Sequence, residues 1–325
     1  MATVLLLSGG GLLNGKVLTL TQRGSYGREQ SNSTSYTTPG EEDKKSPKWI
    51  YWVITIIVAF LIYRVVIVRP KIEINKFFNE GVALQEAGKY REAIVKWKEV
   101  IRLKPDYAEA HNNLGHAFSQ MGYIQEAEAE YREAIRLKPN YAVAHYNLGN
   151  DLYKQGKLID AELNLREAVR LKPDYAVAYN DIGSLLLAEG KYPEAEMELR
   201  EAVRLMPNLA EAHNNLGNAL NGQGKNQDAE AELRVVIRLK PNNAMAHNNL
   251  GVSFGQQAKY PEAEAEFREA IQLDPGCSEA IGDLAILLDM LGRRNEARDY
   301  WKRWQGLEKD PKRVERIKKR LAEPD

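Results

Sequence analysis

Two hydrophobic patterns divide the chain. Residues 49–68, Trp49 to Val68, form an apolar run broken only by Thr55 and Arg64. From residue 74 onward the apolar positions recur instead with helical period, in pairs of amphipathic segments separated by turn signals. The first segment of a pair carries Asn-Asn-Leu-Gly or a relative, and the second carries Glu-Ala-Glu-x-x-x-Arg-Glu-Ala or a relative. Pro105, Pro139, Pro173, Pro207, Pro241 and Pro275 follow the pairs at a strict spacing of 34. Gly88, Gly122, Gly156, Gly190, Gly224 and Gly292 fall where the first segment ends, a place that favours glycine because the chain turns left-handed there. The sixth unit has Ala258 instead. The pattern predicts seven helix pairs: 74–107, 108–141, 142–175, 176–209, 210–243, 244–277 and 278–309.

The apolar run has the length of one membrane pass, since about 20 helical residues span ~30 Å of hydrocarbon. Trp49, Tyr51, Trp52 and Tyr63 stand near its ends, where amphipathic rings prefer the headgroup level, and Arg64 can snorkel toward water. Pro70 is expected to end this helix, leaving 69–73 as a short linker. Lys44, Lys45 and Lys48 flank one side and Arg64, Arg69, Lys71 and Lys76 the other, too even a balance to fix orientation; the repeats are read as facing the cytoplasm. Residues 1–48 contain Gly9 to Gly11 and a polar run from Ser31 to Pro39, and read as a flexible tail. With Glu29 the one acid among the first 40 residues, an organelle transit peptide, and so an organelle membrane, stays open as a second reading.

Small and large positions also repeat in register. Gly81, Gly115, Gly149, Gly183, Gly217 and Gly251, then Ala285, mark a close approach on the first helix. Ala93, Ala127, Ala161, Ala195, Ala229, Ala263 and Ala297 do so on the second, against Trp97, Tyr131, Leu165, Leu199, Leu233, Phe267 and Trp301. This pattern, over about 236 of 325 residues, resembles the tetratricopeptide repeat (TPR) family. The resemblance implies an all-α fold: a right-handed superhelical solenoid of antiparallel helix pairs, here preceded by one transmembrane helix. Such a stack needs covered ends. Residues 311–325, with Val314, Ile317 and Leu321 on one stripe among basic residues, read as a capping helix and tail.

In the TPR family the first helix of each unit lines the concave face, so the resemblance makes its exposed positions a ligand groove. One position reads Asn79, Asn113, Asn147, Asp181, Asn215, Asn249 and Asp283; the position before it adds Asn112, Tyr146, Asn180, Asn214 and Asn248. One turn on lie His116, Asn150 and Asn218. A carboxamide both donates and accepts, so such a row can pair with the backbone of an extended peptide whatever its side chains. The same asparagines could instead bond neighbouring helices. The ladder is similar to the one in the repeat domain of the O-linked N-acetylglucosamine transferase family, although no residues remain here for that family's catalytic domain. A carboxylate clamp of the chaperone-tail type is not expected: Lys76 and Lys154 only approach its basic positions.

Composition adds exclusions. Forty-five basic and 45 acidic residues cancel, so no bulk field draws the chain to nucleic acid. Cys277, the single cysteine, reads as a small packing residue. His111, His145, His213 and His247 share one repeat position, but helices pack ~8–10 Å apart while metal-bound nitrogens sit ~2.0–2.1 Å from one ion, so neighbours cannot share a metal. No phosphate-cradling loop or nucleophile elbow occurs, and neither enzymatic activity nor a cofactor is expected. The reading is a membrane-anchored scaffold or assembly factor binding extended protein segments. Two alternatives are a self-associating component of a membrane complex and a substrate-presenting accessory subunit of an enzyme.

Overall fold

The computed structural model describes residues 47–322, so the tail expected at 1–48 and the last three residues lie almost wholly outside the described part. Among the described residues the chain divides into two units, one up to Ile57 and one from Val58 onward. In the first, α1 (Lys48–Tyr63) begins; Trp49, Tyr51 and Trp52 are exposed, Trp52 by 72%. The helical run Lys48–Glu86 contains a stretch long and apolar enough to cross a membrane, and no side chain of that stretch is buried.

The second unit is entirely helical among the described residues. A π turn at Arg64–Val68 is followed by α2 (Arg69–Glu86). Pro70 therefore does not end the helix, and 69–73 is not a linker. Proline removes one amide donor, and the wider turn just before it accommodates the change in pairing: the Arg69 amide donates to the carbonyl of Arg64, five residues back.

Seven helix pairs follow: α2 with α3 (Tyr90–Leu103), α4 (Ala108–Gln120) with α5 (Ile124–Leu137), α6 (Ala142–Lys154) with α7 (Leu158–Leu171), and α8 (Ala176–Ala188) with α9 (Tyr192–Leu205). Then come α10 (Ala210–Gly222) with α11 (Asn226–Leu239), α12 (Ala244–Gln256) with α13 (Tyr260–Leu273), and α14 (Ser278–Met290) with α15 (Arg294–Leu307). α16 (Pro311–Ala322) closes the array. Each second helix packs on the first helix of the next unit, and first helices such as α8, α10, α12 and α14 also meet one another directly, so they form the more closely packed layer.

The pairs are held by the small-to-large contact read from the sequence. A methyl group added at Gly183 would lie 2.4 Å from Leu199 Cγ, and one at Gly115 would lie 2.9 Å from the Tyr131 ring. The last unit adds a second close contact at another register, Gly282 against Trp304, while Trp301 packs on the core. Between units runs a repeated polar clamp. Glu196 accepts from Arg200 on its own helix (2.8 Å) and, from the next hairpin, from Gln223 (2.8 Å) and Lys225 (2.7 Å). Glu128 has the same three kinds of partner in Arg132, Gln155 and Lys157. Burial alone would raise the Glu196 pKa, but these donors outweigh it and hold it near about 2.

The histidine position ties four of the first helices, α4, α6, α10 and α12, to their surroundings through both ring nitrogens. His111 Nδ1 meets Glu130 at 2.6 Å and Nε2 meets the Pro105 carbonyl at 3.0 Å; His213 repeats this with Glu232 and Pro207. Cys277 is buried with Ala270 and Ala280, its thiol 3.9 Å from Met245 Sδ. The hairpin glycines have φ between 71° and 79°, and Ala258 is forced to φ 61°.

Two outcomes are expected. Ala258→Gly relieves the left-handed strain and raises stability by about 1 kcal/mol in thermal unfolding. Glu196→Gln lowers stability by ~1–3 kcal/mol at pH 7, because a depressed carboxylate pKa stabilises the fold above the unfolded value and loses that effect on acidification. The deficit should fade as pH falls from 4.5 toward 2.

Candidate functional site

The asparagine rows come together in the layer of first helices, and they bond one another. Five of the rungs, Asn147, Asp181, Asn215, Asn249 and Asp283, meet the residue 35 positions earlier, on the preceding unit. Asn147 Nδ2 donates to Asn112 Oδ1 (3.0 Å), Asn215 to Asn180 (3.0 Å) and Asn249 to Asn214 (3.1 Å). Where the rung is a carboxylate the donor lies on the other side: Tyr146 donates to Asp181, and Asn248 to Asp283. Within a unit, Asn112 donates to Asn113 (3.2 Å) and Asn180 to Asp181 (3.1 Å).

These bonds do not exhaust the groups. A carboxamide has two N–H donors and an oxygen with two lone pairs, so one bond to a neighbour leaves capacity toward the open side. Asn113, Asn147, Asn214 and Asn215 are half-buried, while Asn79 and Asn218 are exposed. Asn112, Asn180, Asn248 and Asn249 are buried and serve mainly as the inner row of the ladder. Asn150 and Asn180 bond Asp181, whose pKa burial raises despite them. Tyr146 stacks obliquely on Tyr175, ring centres 4.8 Å apart. The His116 ring stands edge-on to Tyr90 with Nδ1 buried and without a partner, and burial lowers its pKa.

At the carboxyl-terminal end the ladder opens into a cavity of about 840 Å³. Asn218, Asn248, Asn249 and Asp283 line it, so four of the sequence-predicted residues reach it. Its other walls were not visible in the repeat pattern: Asn221, Met245, Val252, Glu279 and Ile286 from first helices, and Trp301 and Trp304 from α15. α16 forms the far side, with Ile317 buried and with Arg313, Arg316, Lys319 and Arg320 bringing positive charge that the groove positions themselves lack. α16 is fixed in place by Arg320, which grips both oxygens of Asp289 at 2.7 Å. Burial raises the Asp283 carboxyl to about 6, even with Asn248 donating to it and Arg313 nearby.

Models of the TPR repeat match residues 81–122, 118–156 and 183–224, and tetratricopeptide repeat models match 142–175, 214–276 and 256–321. The chain belongs to the tetratricopeptide repeat family. Proteins of this kind mediate protein–protein interactions and assembly, and no catalytic family is indicated along the chain. Among solved structures this TPR chain is similar to a tetratricopeptide repeat protein from Parabacteroides merdae, at 14% identity and TM-score 0.60, with 77% of this chain and 99% of that one covered. It is similar to the Cut9–Hcn1 hetero-tetramer of the APC/C, at 16% identity and TM-score 0.63, covering 75% and 48%. It is also similar to YrrB, a TPR protein with an unusual peptide-binding site, at 23% identity and TM-score 0.51, covering 57% and 95%. At these identities the likeness is one of fold. No curated protein sequence matches the chain.

The ionised form of Asp283 costs stability that protonation restores. A carboxyl whose pKa is raised on folding, from 3.8 to about 6, stabilises the fold only while protonated, and that contribution is lost as pH rises through the interval. Asp283→Asn is therefore expected to be more stable than the natural TPR array by about 1–3 kcal/mol at pH 7. In chemical unfolding the gain should grow between pH 4 and 6.5 and level off above; a pH-independent difference would contradict this origin.

Proposed function

We propose that this chain is a membrane-anchored scaffold or assembly factor that holds an extended segment of a client protein along its layer of first helices. The carrying observation is the inter-unit ladder: amides linked 35 residues apart, each with spare donor or acceptor capacity, leading into the cavity beside Asp283. An extended peptide offers one N–H and one C=O per residue, which such a row can satisfy without selecting side chains. The unburied apolar run at 49–68 supports the anchor, with the repeats on the cytoplasmic side and following a right-handed superhelix. YrrB, with its peptide-binding site, gives this reading a precedent within the same fold.

A second reading, self-association into a membrane complex, has one observation in its favour. Ile159, Leu163 and Met197 are exposed on the second helices of adjacent units, by 77%, 62% and 73%.

Asn79, Asn113 and Asn218 take no part in the inter-unit pairs, so their joint replacement by alanine should leave thermal stability within a few degrees of the natural chain. The same variant should lose at least tenfold in photo-crosslinking of client segments from Asn147. Undiminished crosslinking would reject the groove. Concentration-dependent sedimentation of the full chain in detergent, abolished by Met197→Glu and Leu163→Glu, would support self-association instead.

A further inference from the structure

We propose that the cavity beneath α16 is a subsite for one lysine or arginine side chain of the bound segment. This rests on the groove reading and names the chemistry that its closed end selects. The floor of the cavity consists of acceptors in need of a donor. Asn248 is 3% exposed and its Nδ2 is given to Asp283, while its Oδ1 is buried without any partner. A buried carbonyl in that state destabilises the fold unless something donates to it. Asp283 and Glu279 line the same space, and a carboxylate at neutral pH only accepts. A group that donates several hydrogen bonds and carries positive charge satisfies all three, and an anion satisfies none.

The walls fit the rest of such a side chain. Trp301 and Trp304 lie with ring centres 5.3 Å apart on one side of the cavity, offering aromatic surface to an aliphatic stem and to the cation at its tip. A bare metal ion would seek six or more oxygens for calcium or a near-octahedral shell for magnesium, which two carboxylates and one amide between indoles do not provide.

Of the positive charges of α16, Arg313 alone acts on Asp283, where an inserted cation would have to share the carboxylate with it. Arg320 is held by Asp289, and Arg313 lies 3.4 Å from Glu308. Arg316 and Lys319 are exposed at the mouth, where solvent and salt screen them from the floor. There they favour acidic residues beside the inserted cation. The structure thus assigns a two-part preference: a basic side chain inside, acidic neighbours outside.

The test uses the full chain in detergent micelles and two fluorescein-labelled nine-residue peptides of glutamate, serine and alanine. One has a central lysine and the other has norleucine there, which keeps the stem and removes the ammonium. The lysine peptide is expected to bind at least tenfold tighter by fluorescence anisotropy, and Asp283→Asn should reduce that preference to within twofold without loss of helical content. Equal binding of the two peptides, or a lysine preference that survives both Asp283→Asn and Glu279→Gln, overturns the subsite. If both peptides bind equally and the triple variant of Asn79, Asn113 and Asn218 weakens both, the groove stands and only the subsite falls. If neither peptide binds, both readings fall.

Discussion

The close approach of two helices within each unit is the constraint from which the rest follows. At Gly183 the backbone of one helix comes so near Leu199 on its partner that no methyl group fits between them, and five further units repeat the arrangement with a tyrosine, leucine, phenylalanine or tryptophan in the large position. This contact fixes the spacing and crossing of each pair. Fixed pairs then stack with one relative placement, and only such regularity allows a hydrogen bond to recur at an offset of 35 residues along the layer of first helices. The ladder is thus a product of packing in the cores, several ångströms away from the amides that make it.

Two polar systems reinforce the same stacking from opposite sides. On the second helices, glutamates such as Glu128 and Glu196 receive arginine from their own helix and lysine and glutamine from the next hairpin. On the first helices, the amides and the histidine bridges do the work. Exposed ion pairs add little by themselves, but Glu196 is buried enough, and has enough donors, for its charge to matter to the junction. Because a repeat array gains stability largely at the contacts between neighbours, these junction bonds weigh more here than their number suggests.

Much of this was legible in the chain. The proline and glycine periods mark turns between helices that the structure also has, and the small and large positions named the contact that the structure places at Gly81 and Trp97, and at Gly251 and Phe267. Ala258 stood out as a residue where glycine belongs, and it adopts the left-handed φ that glycine would have taken. Other features depend on relations that one period does not display. Pro70 looked like a stop, yet the helical run passes through it, with a π turn at Arg64–Val68 just before the missing donor. The contact of Gly282 with Trp304 lies at positions other than the repeated small and large ones, so the period could not announce it. The cavity was hidden altogether: it arises where α16 folds back from the turn at Glu308, bringing residues some 30 positions distant against Asp283 and Asp289. Repetition within the units says nothing about how the last one is covered.

That cover makes the row of amides unequal at its two ends. Asn79, on the first helix pair, is an exposed neutral rung with no earlier unit to bond, whereas the row finishes at a half-buried carboxylate under α16. A track open along its length leaves an extended chain free to slide, because every residue offers the same backbone. A track with a blind end does not. For the extended segment proposed above, position would be counted from the closed terminus, so the helix that covers the array would also set the register of that segment.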